Sequence, residues 1–173
     1  MKMTMRQFCE SPDFARPYLD HDKNGELYTD VGWALIDAAD GIRPTLDDKR
    51  SLAIFGCAPD KMPCPGKPRR TAVFGLGRGA GKTSRLLAVK CVHAAWTTDL
   101  STISPDDEAV GLLIGPKMKH ARQAFKFVVG VIRRSPILSA AVARDERGRM
   151  MASKERITLK RPDGRLVRIE IAA

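Results

Sequence analysis

An ammonium group and a hydroxyl stand side by side at Lys82-Thr83, directly behind the glycine-rich run Gly75-Leu-Gly-Arg-Gly-Ala-Gly81. That combination suits an anion with several oxygens. Glycines let a backbone curl through positive φ, so that successive amide groups point inward. A helix that starts there adds its unpaired N–H groups and its dipole. Lysine then reaches the β and γ oxygens of a nucleoside triphosphate, and the neighbouring hydroxyl holds Mg2+. The strict pattern G-x-x-x-x-G-K-[ST] would put glycine at position 76, where this chain has Leu76. Gly75 and Gly77 flank it, so the tight turn into the loop moves by one residue.

Such a loop works only between a buried strand and a helix, and the flanking sequence supplies both. Thr71-Ala-Val-Phe74 is a short apolar run of the kind found in buried parallel strands. Lys82 to Trp96 reads as a helix, apolar nearly all round and therefore expected to be buried. Ala109-Val-Gly-Leu-Leu-Ile114 reads as a second buried strand, stopped by Gly115-Pro116. Lys117 to Arg134 reads as a second helix, with Met118, Ala121, Phe125, Val128, Val129 and Ile132 along one side. Strands alternating with helices imply βαβ units and a parallel sheet.

Farther on the period changes to two. Residues 156–160 and 166–171 flank Arg161-Pro-Asp-Gly164, a turn signal. Ile157, Leu159, Val167, Ile169 and Ile171 fall on one face; Lys160, Arg168 and Glu170 fall on the other, which makes a half-buried hairpin. The edge left after the last strand is expected to lack neighbours.

Upstream the pattern is helical. Val31 to Asp40 carries good helix formers and stops at Gly41. A second helix is expected from Pro44, with Thr45 as N-cap, Asp48 three residues on, and Leu46, Leu52, Ile54 and Phe55 as its apolar side. Residues 57–70 hold four prolines and a glycine and read as a linker. The expected organisation is a helical lead-in over 1–66 and an α/β core over 67–173.

Composition narrows the class. Of 173 residues 43% are hydrophobic and 29% charged, the balance of a globular chain. No run approaches the roughly 18–20 apolar residues of a membrane span, and the first residues contain no apolar signal region. Cys9, Cys57, Cys64 and Cys91 are irregularly spaced and are expected to be reduced thiols of a cytoplasmic protein. Residues 1–66 hold 8 Lys/Arg against 11 Asp/Glu, a net of −3, whereas 67–173 hold 22 against 9, a net of +13. The basic half begins where the glycine-rich loop begins, which points to polyanions.

In these motifs the chain resembles the large subunit of tailed-phage terminases, the ATPase that drives DNA into capsids. Leu76 to Thr83 looks like that family's Walker A variant, with arginine four residues before the lysine. Glu108 to Phe125 is similar to its second strand and following helix, and Ile157 to Ile171 to its next strand pair. Gly32 to Gly41 and Phe55 to Pro59 resemble the helical lead-in of some members. The resemblance implies an incomplete P-loop NTPase sheet of the RecA/ASCE type and a cradle for ATP and Mg2+ formed by Gly77, Arg78, Gly79, Ala80, Gly81, Lys82, Thr83 and Ser84. It gives Lys82 and Arg78 the catalytic roles, with Arg78 as the γ-phosphate arginine, and it gives Thr83 to Mg2+. It implies double-stranded DNA, a small terminase subunit and a portal protein as partners, a homo-oligomeric ring when full length, no membrane, and the bacterial host cytoplasm as compartment. Lys117, Lys119, His120 and Arg122, in the region that faces DNA or a neighbouring subunit in related motors, are expected to form an exposed basic helix face.

ATP hydrolysis of this type also needs a buried strand ending in aspartate for Mg2+, with a glutamate beside it. No four apolar residues followed by Asp-Glu occur in the sequence. Asp106-Asp107-Glu108 precedes its strand, which is the wrong edge of a sheet. The expectation is an N-terminal portion of such a subunit that binds nucleotide weakly and hydrolyses it poorly. Two other functions compete: a different P-loop NTPase of kinase or GTPase type, and a non-enzymatic basic module binding DNA or the small subunit.

Several patterns are set aside. Asp20-His-Asp-Lys-Asn-Gly25 opens like a calcium loop, but its twelfth position is Val31 rather than a bidentate glutamate. Cys57 and Cys64 are too far apart for a zinc knuckle. Cys91 and His93, two apart on a helix, read as packing, as do Trp33 and Trp96.

Overall fold

The computed structural model describes residues 3–20, 27–63, 66, 81–104 and 107–173. The fold over these residues is mixed α/β, with seven α-helices beside a three-stranded mixed sheet. The expected strand at Thr71–Phe74, most of the glycine-rich loop and the Asp20–Gly25 turn beyond Asp20 lie outside them.

The sheet has the order β1-β3-β2, with β1 Ala109–Ile114, β2 Arg156–Lys160 and β3 Leu166–Ala172. β1 runs parallel to β3 from Ala109 opposite Val167 to Ile114 opposite Ala172. β2 pairs antiparallel with β3, Ile157 opposite Ile169 and Leu159 opposite Val167. The expected hairpin is therefore present, but its second strand is central rather than an unpaired edge. β1 and β3 are close neighbours in space and distant in sequence, so no local signal could place one beside the other. The outer edge of β2 is also occupied: Ala143 N–H donates to Thr158 O at 2.9 Å and Thr158 N–H to Met151 O at 3.0 Å.

The two sheet faces differ from the simple alternation. Ile157, Leu159, Val167 and Ile169 are buried as expected, but so is Thr158 on the opposite face. The loop 145–153 stands over that face, lining a 470 Å3 hollow with Thr158 and Arg168. Arg168 is held there by Glu108 at 2.8 Å and Glu170 at 3.1 Å.

Helix α6 (Met118–Arg134) follows β1 and packs on β1 and β3. Its buried residues Ala121, Ala124, Phe125, Val128, Val131 and Ile132 recur at three and four, while Lys119, His120 and Arg122 stay exposed. A short α7 (Pro136–Ala140) is capped by Ser135, whose hydroxyl accepts from Leu138 N–H at 3.1 Å. Helix α5 (Ala88–Thr97) packs against α6 and buries Ala88, Val89, Val92 and His93. It is one-sided rather than buried all round: Leu87, just before it, is 46% exposed.

The lead-in folds onto this core. α1 (Met5–Glu10) begins with a capping box between Thr4 and Gln7 and buries Met5, Phe8 and Cys9. α2 (Arg16–Leu19) and α3 (Asp30–Ala39) follow. Phe8, Met5 and Ile36 share one apolar cluster with Val92, Val128, Ile157 and Ile169. Asp40 and Asp37 fasten it: Asp40 accepts from Met5 N–H at 2.6 Å and from the Lys90 ammonium at 2.7 Å. Asp37 takes both ends of the Arg6 guanidinium, which lies 4.4 Å from the Trp33 ring centroid.

The second lead-in helix starts later than expected. Asp47, not Thr45, is the N-cap of α4 (Asp48–Phe55), accepting from Arg50 N–H at 2.9 Å. Its expected apolar side is not buried either: Leu52 and Ile54 are exposed, and Ser51 is the buried position, donating to Cys57 O at 2.8 Å. A serine that satisfies a turn carbonyl fixes the facing of this helix better than scattered apolar residues with nothing to pack on.

Candidate phosphate site at the start of helix α5

Gly81 is in the left-handed region at φ 65°, a conformation that glycine adopts without steric cost. A π-helical turn, Lys82–Leu87, follows and runs directly into α5. Among the described residues, no side chain caps this start. The first amide groups of a helix have no intrahelical acceptors, so an uncapped start behind a left-handed glycine presents N–H donors to an anion. Thr83 and Ser84 are half-buried here.

The end of α5 fixes its direction. Arg161 donates to Thr98 O at 2.7 Å, from the turn between β2 and β3. At the same edge Lys160 N–H donates to Ala141 O, just beyond α6 and α7. Both long helices thus finish where β3 begins and run opposite to β1 and β3. Their first turns are directed toward the carboxyl edge of the parallel pair, the edge at which α/β sheets bind ligands.

The π turn is braced by the lead-in. The Tyr18 hydroxyl donates to Ser84 O at 3.0 Å and the Tyr28 hydroxyl to Arg85 O at 2.8 Å. Arg85 reaches back to donate to Leu27 O and lies 5.6 Å from the Tyr28 ring centroid. Burial raises the pKa of both phenols, which keeps them as O–H donors. Tyr18 is wedged in turn: the Arg134 guanidinium lies 5.8 Å from its ring centroid, and a Cβ on Gly130 would stand 3.0 Å from its Cε2. Beside the turn an open groove of about 490 Å3 is lined by Tyr18, Arg85, Lys126, Phe127 and Arg134. Three cations face it, so the groove carries a field that favours anions.

Of the sequence-derived site residues, the structure places Gly81, Thr83 and Ser84 together on one turn, with Lys82 in the same backbone. Gly77, Arg78, Gly79 and Ala80 lie outside the described residues. Glu108 sits at the amino end of β1, paired with Arg168, on the opposite edge from that turn. His93 is buried, its Nε2 2.9 Å from Met3 O, and burial lowers its pKa from 6.5. Cys91 is half-buried beside it, and desolvation pushes its thiol up to about 11. Among the described residues, no His/Cys/Asp/Glu group is arranged to hold a metal ion, and no helix is long and apolar enough to cross a membrane.

The tyrosines were not legible as site residues. Tyr18 and Ser84 are 66 positions apart and Tyr28 and Arg85 are 57 apart, and no spacing rule joins them. Comparison with protein-family models, curated protein sequences and solved structures found no match.

Proposed function

We propose that this chain is the N-terminal, nucleotide-binding part of a DNA-packaging motor of the terminase large-subunit type, built on a P-loop NTPase core. The observation that carries the reading is the run Gly77-Arg-Gly-Ala-Gly-Lys-Thr83 ending in an uncapped helix start with Gly81 left-handed. The residues fit a polyphosphate: a left-handed glycine leads into a helix start that no described side chain caps, and a groove lined by Arg85, Lys126 and Arg134 lies beside that turn. In this reading Lys82 holds the β and γ oxygens of ATP and Thr83 holds Mg2+. Arg78 offsets charge on the γ-phosphoryl, and backbone amides of residues 77–84 cradle the chain of phosphates. The bound Mg2+ neutralises phosphate charge. The wider assembly proposed is a ring of copies acting on double-stranded DNA with a small subunit and a portal protein.

Titration calorimetry with MgATP on the full chain and on Lys82→Ala tests the site. Binding that disappears with the ammonium supports it; binding unchanged by the substitution removes the nucleotide site. Phosphate release with DNA present measures turnover, expected to be slow because an acidic Mg2+ strand is not recognisable in the sequence. Rapid turnover abolished by Lys82→Ala would overturn that expectation.

A second reading, a non-enzymatic DNA-binding module, is favoured by a specific observation. Residues 118–134 contain no acidic side chain, and Lys119, Arg122, Lys126, Arg133 and Arg134 are exposed along α6. In that case DNA affinity falls steeply with salt and is indifferent to both MgATP and Lys82→Ala.

A further inference from the structure

The π turn at the start of α5 has an identifiable cause. In an α-helix the Ala88 amide would donate to Ser84 O, four residues back. Here it donates to Thr83 O, five back. The Ser84 carbonyl takes the Tyr18 hydroxyl at 3.0 Å, and the next carbonyl, Arg85, takes the Tyr28 hydroxyl at 2.8 Å. Two phenols from the lead-in thus occupy consecutive carbonyls of one turn. A π turn inserts one residue into the helix, which rotates everything before it by about 100° relative to the α register. The residues so rotated are Gly81, Lys82 and Thr83.

We propose that Tyr18 and Tyr28 are positioning residues: their hydroxyls hold the first turn of α5 in the π register and so set the angle at which Gly81 and Thr83 meet phosphate and Mg2+. The proposal rests on the phosphate reading of this turn. It also makes Tyr18 and Tyr28 part of the site, through the backbone carbonyls of the turn that carries Gly81 and Thr83. Two features support a register effect rather than simple packing. Each contact is a single hydroxyl on a backbone carbonyl, and both rings have separate packing: Tyr18 against Gly130 and Arg134, Tyr28 edge-on to Trp33 with centroids 4.9 Å apart. A phenylalanine at 18 therefore keeps the ring packing and loses the hydrogen bond alone, whereas at 28 it also loses the hydroxyl's contact with the Cys9 side chain.

The test is nuclear magnetic resonance of the isotopically labelled full chain, reading the through-hydrogen-bond coupling of the Ala88 amide, together with MgATP calorimetry. In the unsubstituted chain Ala88 is expected to couple to the Thr83 carbonyl. In Tyr18→Phe it is expected to couple to Ser84, with MgATP affinity reduced about fivefold, the equivalent of one hydrogen bond. Tyr28→Phe should add a loss of similar size. Arg134→Gln, which alters the Tyr18 ring but not its hydroxyl, should leave the coupling at Thr83. A Thr83 coupling retained in Tyr18→Phe, a shift produced equally by Arg134→Gln, or a register change without loss of affinity each overturns the proposal. Absence of MgATP binding by the unsubstituted chain sinks the phosphate reading and the affinity claim with it, while the Ala88 coupling still decides the register.

Discussion

Replacing Asp40 with alanine should cost this protein more stability than most single changes in its lead-in. The Asp40 carboxylate closes the end of α3 and touches two other helices: one oxygen accepts from the Met5 amide at 2.6 Å, and the other meets the Lys90 ammonium at 2.7 Å. The first contact places a negative charge on the opening turn of α1, where the helix dipole favours it. Removing it strands a buried N–H, a loss of about 1–3 kcal/mol. The second contact is weaker per bond, because the Lys90 side chain is 36% exposed and regains water; about 0.5–1 kcal/mol is reasonable. Together Asp40→Ala should lower unfolding stability by about 3 kcal/mol, or about 6–12 °C in Tm for a chain of this size. Asp40→Asn keeps an oxygen for Met5 and should lose about half as much. Lys90→Met should lose less than about 1 kcal/mol. Urea unfolding followed by circular dichroism, with the slope against denaturant unchanged, supplies the numbers. A loss below about 1 kcal/mol for Asp40→Ala, or asparagine as damaging as alanine, would refute the view that this carboxylate ties α1, α3 and α5 together.

Two further outcomes follow from buried groups. His93 has its folded pKa lowered by burial, with the Lys90 charge adding to the effect and the Met3 carbonyl and Asp40 opposing it. The unfolded chain then binds the extra proton more readily, so stability is full above about 6.5 and is lost as pH falls from there toward the lower folded value. Urea midpoints at a series of pH values should show that slope, and His93→Gln should flatten it; an equal slope in the variant removes the assignment. Gly115 joins β1 to α6, and a Cβ there would lie 2.8 Å from the Ala121 amide nitrogen. Because backbone cannot give way as a side chain can, Gly115→Ala should cost about 2 kcal/mol by thermal unfolding, and an unaltered Tm would show that the turn relaxes.

How much was legible varies with the range of the forces involved. The run 109–114 declared a strand, 117–134 a helix, and 156–171 a hairpin, and each appears within a residue or two of its expected bounds. Those signals are local: apolar spacing of two or 3.6, and a Pro-Asp-Gly turn. The helix from Lys82 was equally readable, yet its π register was not, because that depends on hydroxyls more than fifty residues away. α1 carried a readable start in Thr4-Met-Arg-Gln7, but six residues are too few to show an apolar stripe. Between Thr45 and Asp47 the choice of cap could not be read from residue type, since both side chains cap helices well.

The sequence by itself determined the longer helices and the strands of the sheet, and it offered the residues proposed for phosphate, because backbone preference and side-chain type are properties of neighbours along the chain. Only the tertiary structure decided that β3 lies between β1 and β2, that Thr158 is roofed over, and that Tyr18 and Tyr28 grip the turn after Gly81. Those arrangements join residues far apart in order, and they follow from how apolar faces are buried together and how each enclosed polar group finds a partner.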